Sequence, residues 1–159
     1  IWQTMDRFKK FIEEENKWKD PHHTEEHDEI HTQMQAPKSA YPDHVHKQLK
    51  HLSNKSNFEK AMKSAKTTHI HHSDKNLHKM GNTDAADKRG IMHNPEIDDT
   101  KRKRVSNQYD KASSKNKMTK PIILHHKASG HKHLLAGNTR LTHGVQDRKE
   151  KVPVHTIEY

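Results

Sequence analysis

The segment PIILHHKASGHKHLLAGNTRL, residues 121–141, has the clearest pattern of secondary structure in the chain. It opens with a short apolar run, and Pro121 can stand there because proline is tolerated as the first residue of a strand. Residues 128–130 combine Ala, Ser and Gly in a turn signal, and residues 131–136 are again apolar enough for a strand. A Gly-led helix or turn follows at Gly137. The stretch therefore predicts strand, turn, strand and helix in that order.

A third strand is predicted downstream, over residues 152–157. Its sequence VPVHTI alternates, and Pro153 lacks the amide proton that a central strand uses, so we expect an edge strand. Together these elements predict an α+β fold with a small mixed sheet at the carboxy-terminal end, preceded by amphipathic helices and polar linkers. We place this core domain at residues 101–159.

The upstream part of the chain has weaker patterns. Over residues 1–20, apolar side chains recur at steps of three and four, which predicts an amphipathic helix. Residues 21–42 are polar and contain three prolines, which predicts a linker. Residues 43–100 predict a helical, His-rich segment.

Two helices and one strand are expected within that His-rich segment. The first helix would place Val45, Leu49 and Leu52 on one face. Residues 56–59, with the sequence SNFE, match a capping box, in which a hydroxyl and a carboxylate bind the free amides at a helix start. Residues 67–71 alternate briefly and predict a short strand.

Composition limits the classes of protein. Hydrophobic residues make up 28% of the chain and charged residues 32%, so the apolar content is low for one large core. No run approaches the roughly 20 apolar residues of a membrane-spanning helix, and we expect no secretory signal and no membrane contact. The chain has no cysteine, which excludes disulfides, thiolate zinc sites, iron–sulfur clusters and cysteine nucleophiles. A cytoplasmic or virion location fits this composition best.

The net charge of the chain is +9, and the charge is unevenly distributed. Lys101, Arg102, Lys103 and Arg104 form the densest basic run, and residues 101–120 are too polar for a regular amphipathic helix. The run predicts either a solvated basic linker or an arm that contacts nucleic-acid phosphates. The 18 histidines would add positive charge as the pH falls toward about 6, which would favour nucleic-acid binding.

An anion site is predicted at the end of the second strand. Gly137 lets the main chain approach a ligand closely, and the amides at the start of the following helix favour a phosphate. Arg140 supplies a planar, permanently charged fork for phosphate oxygens. The same pattern also fits a plain helix cap followed by a surface arginine. The candidate phosphate-binding residues are Gly137, Asn138, Thr139, Arg140, Thr142 and His143.

This ordered pattern resembles the core of the ParB/sulfiredoxin superfamily. The resemblance lies in KPIIL at residues 120–124, GHKHLLAGNTRL at residues 130–141 and VPV at residues 152–154. In that family a strand beginning with Pro-Ile leads into a strand that ends in a Gly-x-x-Arg box, and a helix and a VPV-like strand follow. The box binds nucleotide phosphates in the family, so the resemblance implies this role for residues 137–140. It implies CTP, ATP or ADP as the cofactor.

The resemblance also narrows the chemistry. Thr139 stands where chromosome-partition members have the first of two arginines, which argues against a CTP-gated DNA clamp. The sulfiredoxin cysteine is missing, so that reaction is excluded. Many phage members are described as ParB-like nucleases, and residues 8–15 are similar to the amino ends of proteins from large tailed phages. The resemblance implies a phage-encoded protein that binds a nucleotide or nucleic-acid phosphate on or near DNA, with nuclease or phosphoryl-transfer activity left open.

Two other interpretations stay open. The net charge also fits a noncatalytic, basic nucleic-acid-binding or virion-associated protein, and the low apolar content fits packing on a second copy of the chain in a homo-oligomer. Alternatively, His126, Asn138 and His143 follow the order of a metal-dependent HNH nuclease. A divalent metal is then the expected cofactor, and His131 and His133 alternate along a strand with a spacing that suits imidazole ligands.

Overall fold

The computed structural model describes residues 16–35, 42–74, 77, 80–82 and 99–159, together with residue 7. In this part of the chain the helices are α1 (His23–Met34), α2 (Asp43–Leu52), α3 (Lys55–Ser64), α4 (Asp99–Lys111) and α5 (Asn138–Thr142), which a π-helical turn (His143–Asp147) continues. The strands are β1 (Trp18–Lys19), β2 (Lys66–Ile70), β3 (Gly81–Asn82), β4 (Met118–Thr119), β5 (Ile122–His125), β6 (Lys132–Ala136) and β7 (Val152–Glu158). None of these helices is long and apolar enough to cross a membrane.

The main sheet has five strands in the order β2-β7-β5-β6-β3. It is mixed, because β5 runs parallel to β7 and antiparallel to β6. A second, two-stranded sheet pairs β1 with β4 in parallel. The predicted α+β fold with a small mixed sheet is confirmed, and the expected order of strand, turn, strand, helix and strand is found in β5, β6, α5 and β7.

Apolar side chains cover both faces of the main sheet. Ile122 and Leu124 point to one face, where they pack with the buried residues of α1, α2 and α3. Ile123 points to the other face, where it packs with buried residues of α4, α5 and the π-helical turn. Because the helices before residue 100 share a core with the later strands, the predicted boundary at residue 100 does not separate two domains.

The linker predicted for residues 21–42 is wrong over α1. Ile30 is fully buried, and it packs in the same cluster as Phe58 of α3. The His27 ring contacts Phe58, and its Nε2 lies 3.0 Å from the main-chain oxygen of Ser53. The helix has one strongly apolar residue, so its sequence shows no stripe, and tertiary contacts of this kind stabilise it instead.

The helix predicted for residues 1–20 is wrong at its carboxyl end. Trp18 lies in β1, where it pairs with Met118, and its ring packs edge-on against Tyr109 at 5.7 Å. The helix prediction ran this far because Lys17, Lys19 and Pro21 are typical of a helix end, whereas residues 18–19 pair with β4 instead. The apolar residues on which the helix prediction rests lie outside the described residues.

The two predicted helices and the short strand of the His-rich segment are confirmed as α2, α3 and β2. Val45, Leu49 and Leu52 are fully buried, as their spacing predicted. The capping box was placed too late, because the α3 cap is Asn54, whose side chain accepts a hydrogen bond from the amide of Asn57 at 3.1 Å.

The edge position predicted for the third strand is wrong. β7 lies between β2 and β5, inside the main sheet. Pro153 is tolerated because the pairing of β7 with β5 begins only at His155, opposite Ile122. At Pro153 itself, β7 therefore has a neighbour on one side alone, which is His69 of β2.

We expect Gly144→Ala to lower the free energy of unfolding by about 1–3 kcal/mol, the usual cost of overpacking a core. Gly144 is buried in the π-helical turn, and a Cβ there would collide with the Tyr109 hydroxyl and lie 2.5 Å from Val152 Cγ2. Urea unfolding followed by circular dichroism measures the loss. An unchanged free energy of unfolding would contradict the tight packing of these three residues.

Candidate functional site

Gly137 forms the turn between β6 and α5. Its φ of 86° lies in the left-handed region, where a residue with a Cβ is strained. A Cβ at this position would also lie 2.8 Å from Pro121 Cα and 3.1 Å from Arg140 Nη2. Because Gly137 has no side chain, Pro121 just before β5 and the Arg140 guanidinium can both lie close to the turn.

A cleft of about 430 Å³ lies beside this turn. Residues 137–140 form one part of its lining, and Leu134, Leu135 and Ala136 of β6 form another. Its volume falls within the range of small-molecule sites. The turn predicted to bind an anion therefore opens onto a cavity that can hold one.

The helix α4 contributes Arg104 and Gln108 to the same cleft. Of the predicted basic run, Arg104 lines the same cleft as the Gly137 turn. Lys101 and Lys103 are exposed and do not line the cleft. The segment predicted as a linker or arm is thus a regular helix, anchored by the buried residues Val105 and Tyr109. Two apolar residues four positions apart suffice because they lie on one face of α4, which buries only a narrow stripe.

The position of α4 is set by contacts with the turn that follows α5. Arg102 forms an ion pair with Asp147, in which Nη1 donates to both carboxylate oxygens, at 2.7 and 2.9 Å. The Tyr109 hydroxyl donates a hydrogen bond of 2.9 Å to the main-chain oxygen of Arg140, and burial raises the pKa of Tyr109. Arg102 is therefore paired with Asp147 and does not line the cleft, whereas Arg104 of the same helix lines it together with Arg140.

Two of the six predicted phosphate ligands do not reach the cleft. Thr142 is buried, and its hydroxyl lies 3.4 Å from Asn138 Oδ1. His143 is buried between Tyr109, Asp147 and Arg148, with Nδ1 2.8 Å from the Asp147 carboxylate. Its Nε2 accepts a hydrogen bond of 3.0 Å from Arg148 Nε. Thr142 and His143 lie about one helical turn beyond the residues that line the cleft, and at that point the helix faces the core.

The predicted metal ligands His131 and His133 are not arranged as a metal site. His133 is fully buried, and its Nε2 lies 3.2 Å from Gln33 Oε1. His131 packs edge-on against His44 at 5.2 Å. No three His, Asp or Glu side chains form a metal-binding group in the described part of the chain.

The HNH constellation is also not assembled. His126 follows β5 and Asn138 follows β6, and these strands are antiparallel, so the two residues lie at opposite ends of the pair. His126 stacks on His44 at a centroid distance of 4.0 Å. Asn138 lines the cleft, and His143 is buried against α4. The order of the three residues in the sequence therefore did not predict proximity.

Sequence reasoning missed the cleft wall formed by α1. Glu29, Thr32 and Gln33 of this helix also line the cleft. Gln33 is anchored by a hydrogen bond from its Nε2 to the main-chain oxygen of Leu135. No local signal marks these residues, because α1 has no apolar stripe and their role follows from its docking on β6. Gln108 was also missed, because its place at the cleft follows from the packing of α4 and not from its own sequence.

Comparisons with known proteins identify no relative, since the chain matches no protein-family model, no curated protein and no solved structure. The resemblance to the ParB/sulfiredoxin superfamily therefore stays a prediction from residues 120–154.

Proposed function

We propose that this protein binds the phosphate groups of a nucleotide or a nucleic acid in the cleft beside Gly137. The observation that carries the proposal is that Arg104 and Arg140, from separate elements, line one cleft together with the Gly137 turn. Guanidinium groups bind phosphate oxygens with paired, charge-assisted hydrogen bonds and keep their charge at any physiological pH. Two of them at one cleft favour an anionic ligand.

The other polar groups of the cleft suit a nucleotide. Gln108, Asn138 and Thr139 offer neutral hydrogen-bonding groups beside the two arginines. Glu29 lies on the α1 wall, where a carboxylate can accept hydrogen bonds from sugar hydroxyls. The resemblance of residues 137–140 to a nucleotide-binding box supports the same ligand class. The net charge of +9 favours approach of polyanions.

We expect Arg140→Ala to weaken nucleotide binding by roughly tenfold to a hundredfold, since hydrogen bonds to charged groups contribute about 1.5–3 kcal/mol. Isothermal titration calorimetry with CTP and with ATP at low salt measures the change, and circular dichroism checks that the variant is folded. A short oligonucleotide is titrated in parallel, since the ligand class includes nucleic acid. If the wild-type protein binds none of these three probes, the proposal is refuted.

A matched pair of variants separates the cleft from general surface charge. Arg104 and Lys103 are adjacent on α4 and both are exposed, but Arg104 alone of the two lines the cleft. We expect Arg104→Ala to weaken binding several-fold more than Lys103→Ala does. Equal losses in the two variants would indicate nonspecific attraction to a basic surface and would contradict a defined phosphate site.

A further inference from the structure

A second hollow, of about 190 Å³, adjoins the proposed phosphate cleft. Gln108 and Arg140 line both cavities. The hollow adds Asn116, Lys117 and Thr119, from the segment that links α4 to β4 and from β4 itself. Because Gln108 and Arg140 line both cavities, the two lie side by side, and we call them together the α4 groove.

Positive charge is distributed along the α4 groove. Arg104 lines the first cavity, Arg140 lies where the two meet, and Lys117 lies at the far end. Glu29 is on the α1 wall of the first cavity, and the described lining of the second contains no acidic residue. A chain of phosphates laid along this groove would therefore meet a cation at three successive places.

The far end of the groove is held in position by main-chain hydrogen bonds. Ser113 and Asn116 bond each other across a turn, with N···O distances of 3.1 and 3.2 Å. On the other side of Lys117, the amide of Met118 donates a bond of 2.7 Å to the main-chain oxygen of Lys17, where β4 pairs with β1. The main chain at Lys117 is thus fixed on both sides, and its side chain is exposed for a ligand.

We propose that the α4 groove binds a single strand of nucleic acid, with consecutive phosphates at Arg104, Arg140 and Lys117. This inference rests on the proposed phosphate binding at the cleft. The cleft holds about 430 Å³ and the adjoining hollow about 190 Å³, which is room for the backbone of one strand and too little for a duplex. The described lining residues include no aromatic ring on which a base could stack, so the contacts we propose are those of the charged side chains with the phosphate backbone.

The test compares two probes on the full chain. Fluorescence anisotropy measures binding of a fluorescein-labelled thymidine dodecanucleotide, and calorimetry measures binding of CTP. We expect Lys117→Ala to weaken oligonucleotide binding by roughly threefold to tenfold and to reduce the slope of log K against log salt by about 0.7, the contribution of one phosphate contact. CTP binding should be unchanged, because its phosphates lie at Arg104 and Arg140. Lys63→Ala, an exposed lysine on α3 outside the groove, is the matched control.

The outcomes distinguish the inference from the function on which it rests. If Arg140→Ala binds the oligonucleotide as tightly as the wild-type protein does, the phosphate site itself is refuted. If Arg140→Ala weakens binding but Lys117→Ala behaves like Lys63→Ala, the phosphate site stands and the strand groove is refuted. If Lys117→Ala weakens CTP binding as much as oligonucleotide binding, both cavities belong to one nucleotide and the strand groove is refuted. A duplex that binds as tightly as the single strand would overturn the inference as well.

Discussion

Gly137→Ala is expected to lower the free energy of unfolding by about 2–5 kcal/mol. About 1–2 kcal/mol of this loss comes from holding a residue with a Cβ in the left-handed region, at a φ of 86°. A further 1–3 kcal/mol, roughly, comes from overpacking, because the Cβ would lie 2.8 Å from Pro121 Cα on the adjacent main chain. Urea unfolding of the wild-type and variant proteins measures the difference.

Gly130→Ala is the matched control for this prediction. Gly130 also has a left-handed φ, of 75°, but a Cβ there would meet no atom within 4 Å. We expect this variant to lose about 1–2 kcal/mol, from the backbone conformation alone. Equal losses at Gly137 and Gly130 would show that Pro121 moves away without cost, and the rigid turn on which the site depends would be refuted.

Acidification from about pH 7 to about pH 4 is expected to lower the free energy of unfolding by about 3 kcal/mol through His133 alone. Burial of this imidazole, followed by repulsion from His131, His44 and His46, lowers its pKa from 6.5 to about 3. Between these two values the unfolded chain binds the extra proton and the folded chain does not. Stability is therefore unaffected above about pH 6.5 and falls by about 1.4 kcal/mol per unit below it.

Urea unfolding across this pH range tests the prediction. His133→Gln removes the titrating group, so we expect its unfolding free energy to depend less on pH than that of the wild-type protein, even if its stability at neutral pH is lower. His72→Gln, at an exposed position, should keep the wild-type pH dependence. His44 and His131 act in the same direction, since burial lowers the pKa of each, so His133→Gln should keep part of the slope. A wild-type stability that is constant over this range would contradict the prediction.

The elements that the sequence predicted correctly are those with a local cause. An apolar run after Pro121 and a second run before Gly137 identify β5 and β6, because a buried strand needs only a few consecutive apolar residues. Gly137 marks the turn because its backbone conformation favours glycine whatever surrounds it. Asn138, Thr139 and Arg140 could be placed at the cleft for this reason.

The cleft wall formed by α1 could not be predicted. Its helix contains a single fully buried apolar side chain, Ile30, and the local sequence favours a linker. The helix is stabilised where Ile30 enters the core and where Gln33 bonds to the main chain of β6. Both contacts join residues far apart in the chain, so no pattern within a short window contains them.

Local sequence is enough to specify the Gly-x-x-Arg turn after the second buried strand and the dense basic run upstream, because adjacent residues encode both. Which basic residues meet at that turn depends on how α4 packs in the folded chain. Arg102 and Arg104 are two positions apart, so on a helix they lie on nearly opposite sides. The docking of α4 turns Arg102 toward Asp147 and Arg104 toward the cleft of Arg140. How a helix is rotated about its buried stripe depends on the packing of the whole core, which the sequence of the helix alone does not specify.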